Sequence, residues 1–126
     1  MSITTLLIDD IITTECETCH CMRCHDVLVF EFSSVIKAST MEEVCDISLV
    51  IYGWSSFAMS KFVPPAPQAD GHWITLGMFE PPVNIDVIRV AGNRLTLEGR
   101  SSKDGGWVKY DMLDFKYKIM SKSELN

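Results

Sequence analysis

Asp26-Val27-Leu28-Val29-Phe30-Glu31-Phe32 is the stretch on which the fold turns. Leu28, Phe30 and Phe32 share one parity, and Val27, Val29 and Glu31 share the other. Side chains alternate faces in an extended chain, so this pattern predicts a β-strand. Downstream, Ile47-Ser48-Leu49-Val50-Ile51-Tyr52 is β-branched and largely apolar, which fits a buried strand closed by Gly53. Phe115-Lys116-Tyr117-Lys118-Ile119 alternates between an apolar and a cationic face, as a strand with one side in water does. Between these lie further strand candidates at 73–79, 85–90, 95–98 and 107–112. They are punctuated by Glu80-Pro81-Pro82, by the hairpin signal Ala91-Gly92-Asn93-Arg94, and by a flexible turn from Ser101 to Gly106.

Upstream, Ile3 to Ile12 reads as a short strand or strand-turn interrupted by Asp9 and Asp10. Ser39-Thr40-Met41-Glu42-Glu43 carries a helix-start signal, since Ser or Thr is followed by Glu three residues later, and predicts one short helical turn ending before Ile47. Residues 61–73, with Pro64, Pro65 and Pro67, read as an extended surface loop because proline cannot donate to a ladder. The sum is a mainly β chain, a single-domain antiparallel barrel or sandwich over residues 1–126, with at most one short helix.

The composition, 47% hydrophobic and 22% charged over 126 residues, is that of a folded globular domain able to bury a core. The net charge of −6 is uneven. Residues 1–46 hold nine carboxylates against Arg23 and Lys37, and residues 47–126 hold eight against nine Lys and Arg. An acidic first third repels nucleic-acid backbones and anionic membranes, and it suits a cation or the basic surface of a protein partner. The first basic residue is Arg23, which does not fit a secretory leader, and no apolar run approaches the roughly 20 residues of a membrane-spanning helix. A cytoplasmic, soluble protein is the expectation.

The chemistry concentrates at Cys16-Glu17-Thr18-Cys19-His20-Cys21-Met22-Arg23-Cys24-His25, which holds four of the five cysteines and two of the three histidines. The stretch is expected to lie in a loop between two strands. Its spacing is C-x2-C-x-C-x2-C-H, and each C-x2-C suits two thiolates on one Zn2+ at about 2.3 Å. Cys16, Cys19, Cys21, Cys24 and His25 are therefore the candidate ligands of a structural zinc site. Cys45 and His72 are reserves, because only His20 separates the two pairs. Glu15, Glu17 and Asp26 flank the thiols; they disfavour a reactive thiolate and favour a bound cation. The same letters form two consecutive C-x-x-C-H pentapeptides and so resemble the haem-attachment motif of c-type cytochromes, over ten residues of the chain. That resemblance implies covalent haem c, with the thiols bonded to porphyrin and a histidine on iron.

Other candidates are weaker. Asp70 and His72 suggest an Asp-oriented imidazole, with a turn and a surface histidine as the simpler reading. Trp54, Trp73 and Trp107 suit core anchors or a binding edge. Lys109, Lys116 and Lys118 suggest one cationic strip on neighbouring strands. Phosphate-loop, dinucleotide, nucleophile-elbow and zinc-protease signatures do not occur. The leading expectation is a non-enzymatic protein-binding module, an inhibitor or accessory factor, with a zinc-stapled loop; it would use the acidic first third and the 61–73 loop as its contact surface. The alternatives are an electron-transfer or thiol-redox protein using the same cysteines, and a ligand-binding β barrel in which the cluster is incidental.

Overall fold

The computed structural model describes residues 6–13 and 19–121. These form two five-stranded antiparallel sheets, so the expected mainly β, barrel-or-sandwich architecture is what the chain adopts. A 3-10 turn at Ile8–Asp10 precedes β1 (Ile11–Ile12), β2 (Cys19–Cys24), β3 (Val27–Lys37), β4 (Glu42–Tyr52) and β5 (Ser56–Val63). After them come β6 (His72–Thr75), β7 (Val87–Ala91), β8 (Arg94–Arg100), β9 (Trp107–Leu113) and β10 (Lys116–Ser121). The first sheet runs β1-β3-β4-β10, with β2 beside β1 on the same edge of β3; the second runs β6-β5-β9-β8-β7. No helix among the described residues is long and apolar enough to cross a membrane.

One long ribbon joins the sheets. Strand β4 pairs with β10 in the first sheet, and their continuations β5 and β9 pair in the second. The ribbon bends where Gly53 (φ +69°) and Asp114 (φ +56°) take left-handed backbone. The Asp114 carboxylate fixes the bend by accepting from Ser55 Oγ at 2.6 Å and from Asn93 Nδ2 at 2.7 Å, in the turn between β7 and β8. Asparagine and aspartate tolerate this conformation better than other side chains, because a short polar group bonds locally.

The inward faces fill the space between the sheets. Leu28, Phe30, Phe32, Ile47, Leu49 and Ile51 come from the first sheet, and Leu95, Leu97, Val108, Tyr110 and Met112 from the second. In β3 the buried positions change parity between Phe32 and Val35, at the level where Asp46 of β4 has φ +55°. The change turns Val35 and Val44 toward Ile11 and the core.

Several local expectations are corrected. Residues 39–43 form no helical turn: Glu42 and Glu43 already belong to β4, and Thr40 Oγ1 accepts from Glu42 N at 3.3 Å inside the β3–β4 hairpin turn. A hydroxyl that can cap a helix serves a tight turn equally well. The Pro-rich loop is shorter than 61–73, because Lys61–Val63 complete β5 and pair with His72 to Ile74 of β6. The 73–79 strand ends at Thr75.

Candidate functional site

Six of the ten residues of the Cys/His cluster are strand instead of loop. Cys19–Cys24 form β2, paired residue for residue with β3 from Phe32 to Val27, and His25 (φ +53°) with Asp26 makes the two-residue turn. Ligand spacing predicts a loop here, whereas side-chain alternation governs the stretch. Cys21 packs against the core, and Arg23, of the same parity, lays its guanidinium 4.4 Å from the Phe57 ring centre and 5.9 Å from that of Phe79. Met22 and Cys24 face outward and are exposed, as is His25.

An extended chain rises about 3.3 Å per residue, so Cys21 and Cys24 stand about 10 Å apart on opposite faces. A disulfide needs Cα atoms within about 7 Å, and one zinc ion needs its thiolates closer still. While β2 is paired, these two thiols do not converge. Cys16 and the Cys19 side chain lie outside the described residues. Among the described residues no three His, Cys, Asp or Glu are grouped to hold a metal. Cys45 is exposed on β4; burial of the sulfur and then the Glu43 carboxylate raise its thiol pKa, which keeps it protonated. Asp70 meets His72 Nδ1 through its backbone carbonyl at 3.1 Å, so its carboxylate does not orient the imidazole.

At one end of the second sheet, Lys61 donates to Glu80 at 2.9 Å and to Asp104 at 2.5 Å, and Ser101 Oγ donates to Glu80 at 2.8 Å. The hydrogen bonds that Lys61 donates to Asp104 and then to Glu80 raise its pKa, so it stays charged and serves as no base. Burial alone would raise Glu80, but bonds from Lys61 and Ser101 outweigh it and hold the carboxyl low. Asp104 is held low by Lys61 and the Gly106 amide, and Asp114 by Ser55 and Asn93. This cluster ties the 101–106 turn to β5.

Carboxylates depressed in the folded state stabilise fully above their unfolded pKa and lose that contribution as pH falls through the folded values. Lys61, being raised, stabilises below its unfolded pKa and loses its contribution only as pH rises through its folded value. The urea midpoint is therefore expected to be flat near neutrality and to fall on the acid side. In Lys61→Met that acid limb should be shallower, since Glu80 and Asp104 lose the partner that depresses them. An unchanged limb would refute the assignment.

The outward face of the second sheet carries the richer arrangement, which the sequence reading missed. Alternation in β5, β8 and β9 turns Leu95, Leu97, Val108, Tyr110 and Met112 inward and Arg94, Thr96, Glu98, Trp107, Lys109 and Asp111 outward. Phe62 and Trp73, opposite each other on β5 and β6, meet edge to face at 5.4 Å. Lys109 Nζ lies 4.2 Å from the Trp73 ring centre.

The acids beneath are held. Asp111 Oδ1 accepts from Arg94 Nε at 3.1 Å, from Arg94 Nη2 at 2.9 Å and from Thr96 Oγ1 at 2.7 Å. Glu98 accepts from Trp107 Nε1 at 2.8 Å and lies 3.7 Å from Arg89. The cations stand out and the acids do not: Arg89 and Arg94 side chains are 63% and 55% exposed, Glu98 and Asp111 14% and 16%. Together they line an open cleft of about 350 Å3 beside Trp73. Lys109 belongs here, whereas Lys116 and Lys118 lie on the outer face of the first sheet, so the expected single cationic strip is split between two sheets.

The chain matches no protein-family model, no curated protein and no solved structure. Its function is therefore argued from this geometry. Alternation signals for β8 and β9 were present in the sequence, but which strands lie side by side was not, and it is adjacency that collects Arg89, Arg94, Lys109 and Trp73.

Proposed function

We propose that this chain is a non-enzymatic protein-binding module that meets its partner with the outer face of the second sheet. The observation that carries the reading is the collection of Trp73, Trp107, Phe62, Arg89 and Arg94 on one sheet, with the acids engaged below them. Tryptophan and arginine dominate the energetics of protein interfaces because they combine large contact area with directional bonding. Side chains mounted on paired strands are already ordered, so little rotamer freedom is lost on binding. The exposed heads are cationic, so the partner segment carries carboxylates beside an apolar group. The reading keeps the protein partner expected from the sequence and moves its contact from the acidic first third to the second sheet, with Trp73 of the former 61–73 loop at its rim.

Affinity capture from the source cells, followed by titration with the purified partner, tests this. Trp73→Ala and Arg94→Glu should each weaken binding by about 2 kcal/mol, roughly 30-fold, as truncated hot spots do. Glu42→Gln, at the far β3–β4 hairpin, should leave binding unchanged. If all three variants bind like the parent chain, the second sheet is not the contact face.

A further inference from the structure

The middle of the first sheet's outer face is apolar where a solvated face would be polar. Its outward positions fall into three cross-strand rows: Cys24, Val27, Tyr52 and Lys116; Met22, Val29, Val50 and Lys118; and His20, Glu31, Ser48 and Met120. An antiparallel sheet with one face in water shows a clean polar alternation, yet β3 and β4 carry Val27, Val29 and Val50 on the side away from the core. None of these valines belongs to the core cluster, and Met22 is 49% exposed. Lys118 reaches back over the Tyr52 ring at 5.7 Å, and Val29 and Val50 in the middle row are half-buried.

We propose that this face pairs with the same face of a second copy of the chain, across a two-fold axis that lies midway between the two faces, parallel to them, and runs diagonally to the strands. This assignment is independent of the partner-binding face on the second sheet. The charges favour it: the cations Lys116 and Lys118 sit along the β10 edge, and Glu31 sits at one end of the rows, with Glu43 further along β4. A diagonal two-fold exchanges edge for end. It sets Lys118 of one copy over Glu31 of the other and Met22 over Val27 and Tyr52, with Val29 and Val50 at the centre. The strands of the two copies then cross near a right angle, one of the two ways in which sheets pack face to face.

Row positions also place Cys24 on the axis, next to Cys24 of the second copy. Two-fold contacts are self-complementary, and this face meets that condition in both charge and apolar content.

The test is the solution mass by sedimentation equilibrium. The parent chain should weigh twice 14.2 kDa. Val29→Asp should be monomeric with unchanged circular dichroism, and Lys118→Glu should raise the dimer dissociation constant at least about tenfold. Adding Glu31→Lys to Lys118→Glu should restore the dimer. A short bis-maleimide should join two chains in the parent and in Cys45→Ser, but not in Cys24→Ser. A parent chain that is monomeric at its highest soluble concentration overturns the proposal. So does a dimer that survives Val29→Asp, or a first-sheet face that proves to be covered by a different protein.

Discussion

Gly99→Ala is expected to be the most damaging single-methyl change in this protein. A Cβ at residue 99 would stand 1.9 Å from the carbonyl oxygen of Asn84, 2.9 Å from its carbon and 3.3 Å from Ile85 Cα. All three are backbone atoms, so no side-chain rotation relieves the contact. The neighbouring segment 82–86 cannot step aside cheaply either. Val83 N donates to Arg100 O at 2.8 Å, Asp86 N to Glu98 O at 2.8 Å, and Arg100 N to Asn84 Oδ1 at 3.1 Å. Ile85, between them, is buried in the core, and its carbonyl accepts from the buried Thr13 hydroxyl at 2.7 Å. Admitting the methyl means unpairing this strap and pulling Ile85 out. The expected cost is about 3 kcal/mol or more. That corresponds to a fall in Tm of roughly 10 °C for a domain of this size. Gly77→Ala, where an added Cβ meets nothing within 4 Å, is the control and should melt close to the parent chain. Equal melting temperatures for the two variants would show that the strap does not lie on Gly99.

Why this contact was not legible in the sequence is instructive. Leu95-Thr96-Leu97-Glu98 showed a strand by its alternation, and Gly92-Asn93 showed the hairpin before it, but a glycine at 99 looks like any strand end. Only the path of 82–86 across β8 gives it a role, and that path is set by long-range pairing. The same limit applied to the cysteine cluster. Local letters gave a ligand spacing, while the free edge of β3 gave residues 19–24 something better to do. By pairing there, β2 satisfies its backbone groups and lays Arg23 over Phe57 and Phe79. Elements whose periodicity is dictated by burial on one side were legible: Val27–Phe32, Ile47–Tyr52 and 116–119 lie in strands, and Leu28, Phe30 and Phe32 share the inward face, as Phe115, Tyr117 and Ile119 do at the other edge. The two outer faces were not, since they depend on which strands are neighbours.

Tyr110 is the second position where a large loss is expected, and the comparison of two substitutions there separates packing from hydrogen bonding. The ring is fully buried in β9, between Phe57 at 6.5 Å and Phe79 at 5.9 Å, and the hydroxyl donates to the Glu80 carbonyl. Tyr110→Ala empties the centre of the second sheet's inner face and leaves that carbonyl without this donor, at an expected cost of about 3 to 5 kcal/mol. Tyr110→Phe keeps the ring and loses only the donor, at about 1 kcal/mol. The bond also sets the position of Glu80, whose side chain is held by Lys61 and Ser101 on the other side of the same residue. Tyr110→Phe should therefore alter the acid limb of the stability profile as well as the midpoint, because Glu80 gains freedom to leave Lys61. Denaturant titrations of both variants across the acid range decide this. If Tyr110→Phe shifted the midpoint equally at every pH, the hydroxyl would contribute its own hydrogen bond alone, and the coupling from the core through Glu80 to the Lys61 cluster would be wrong.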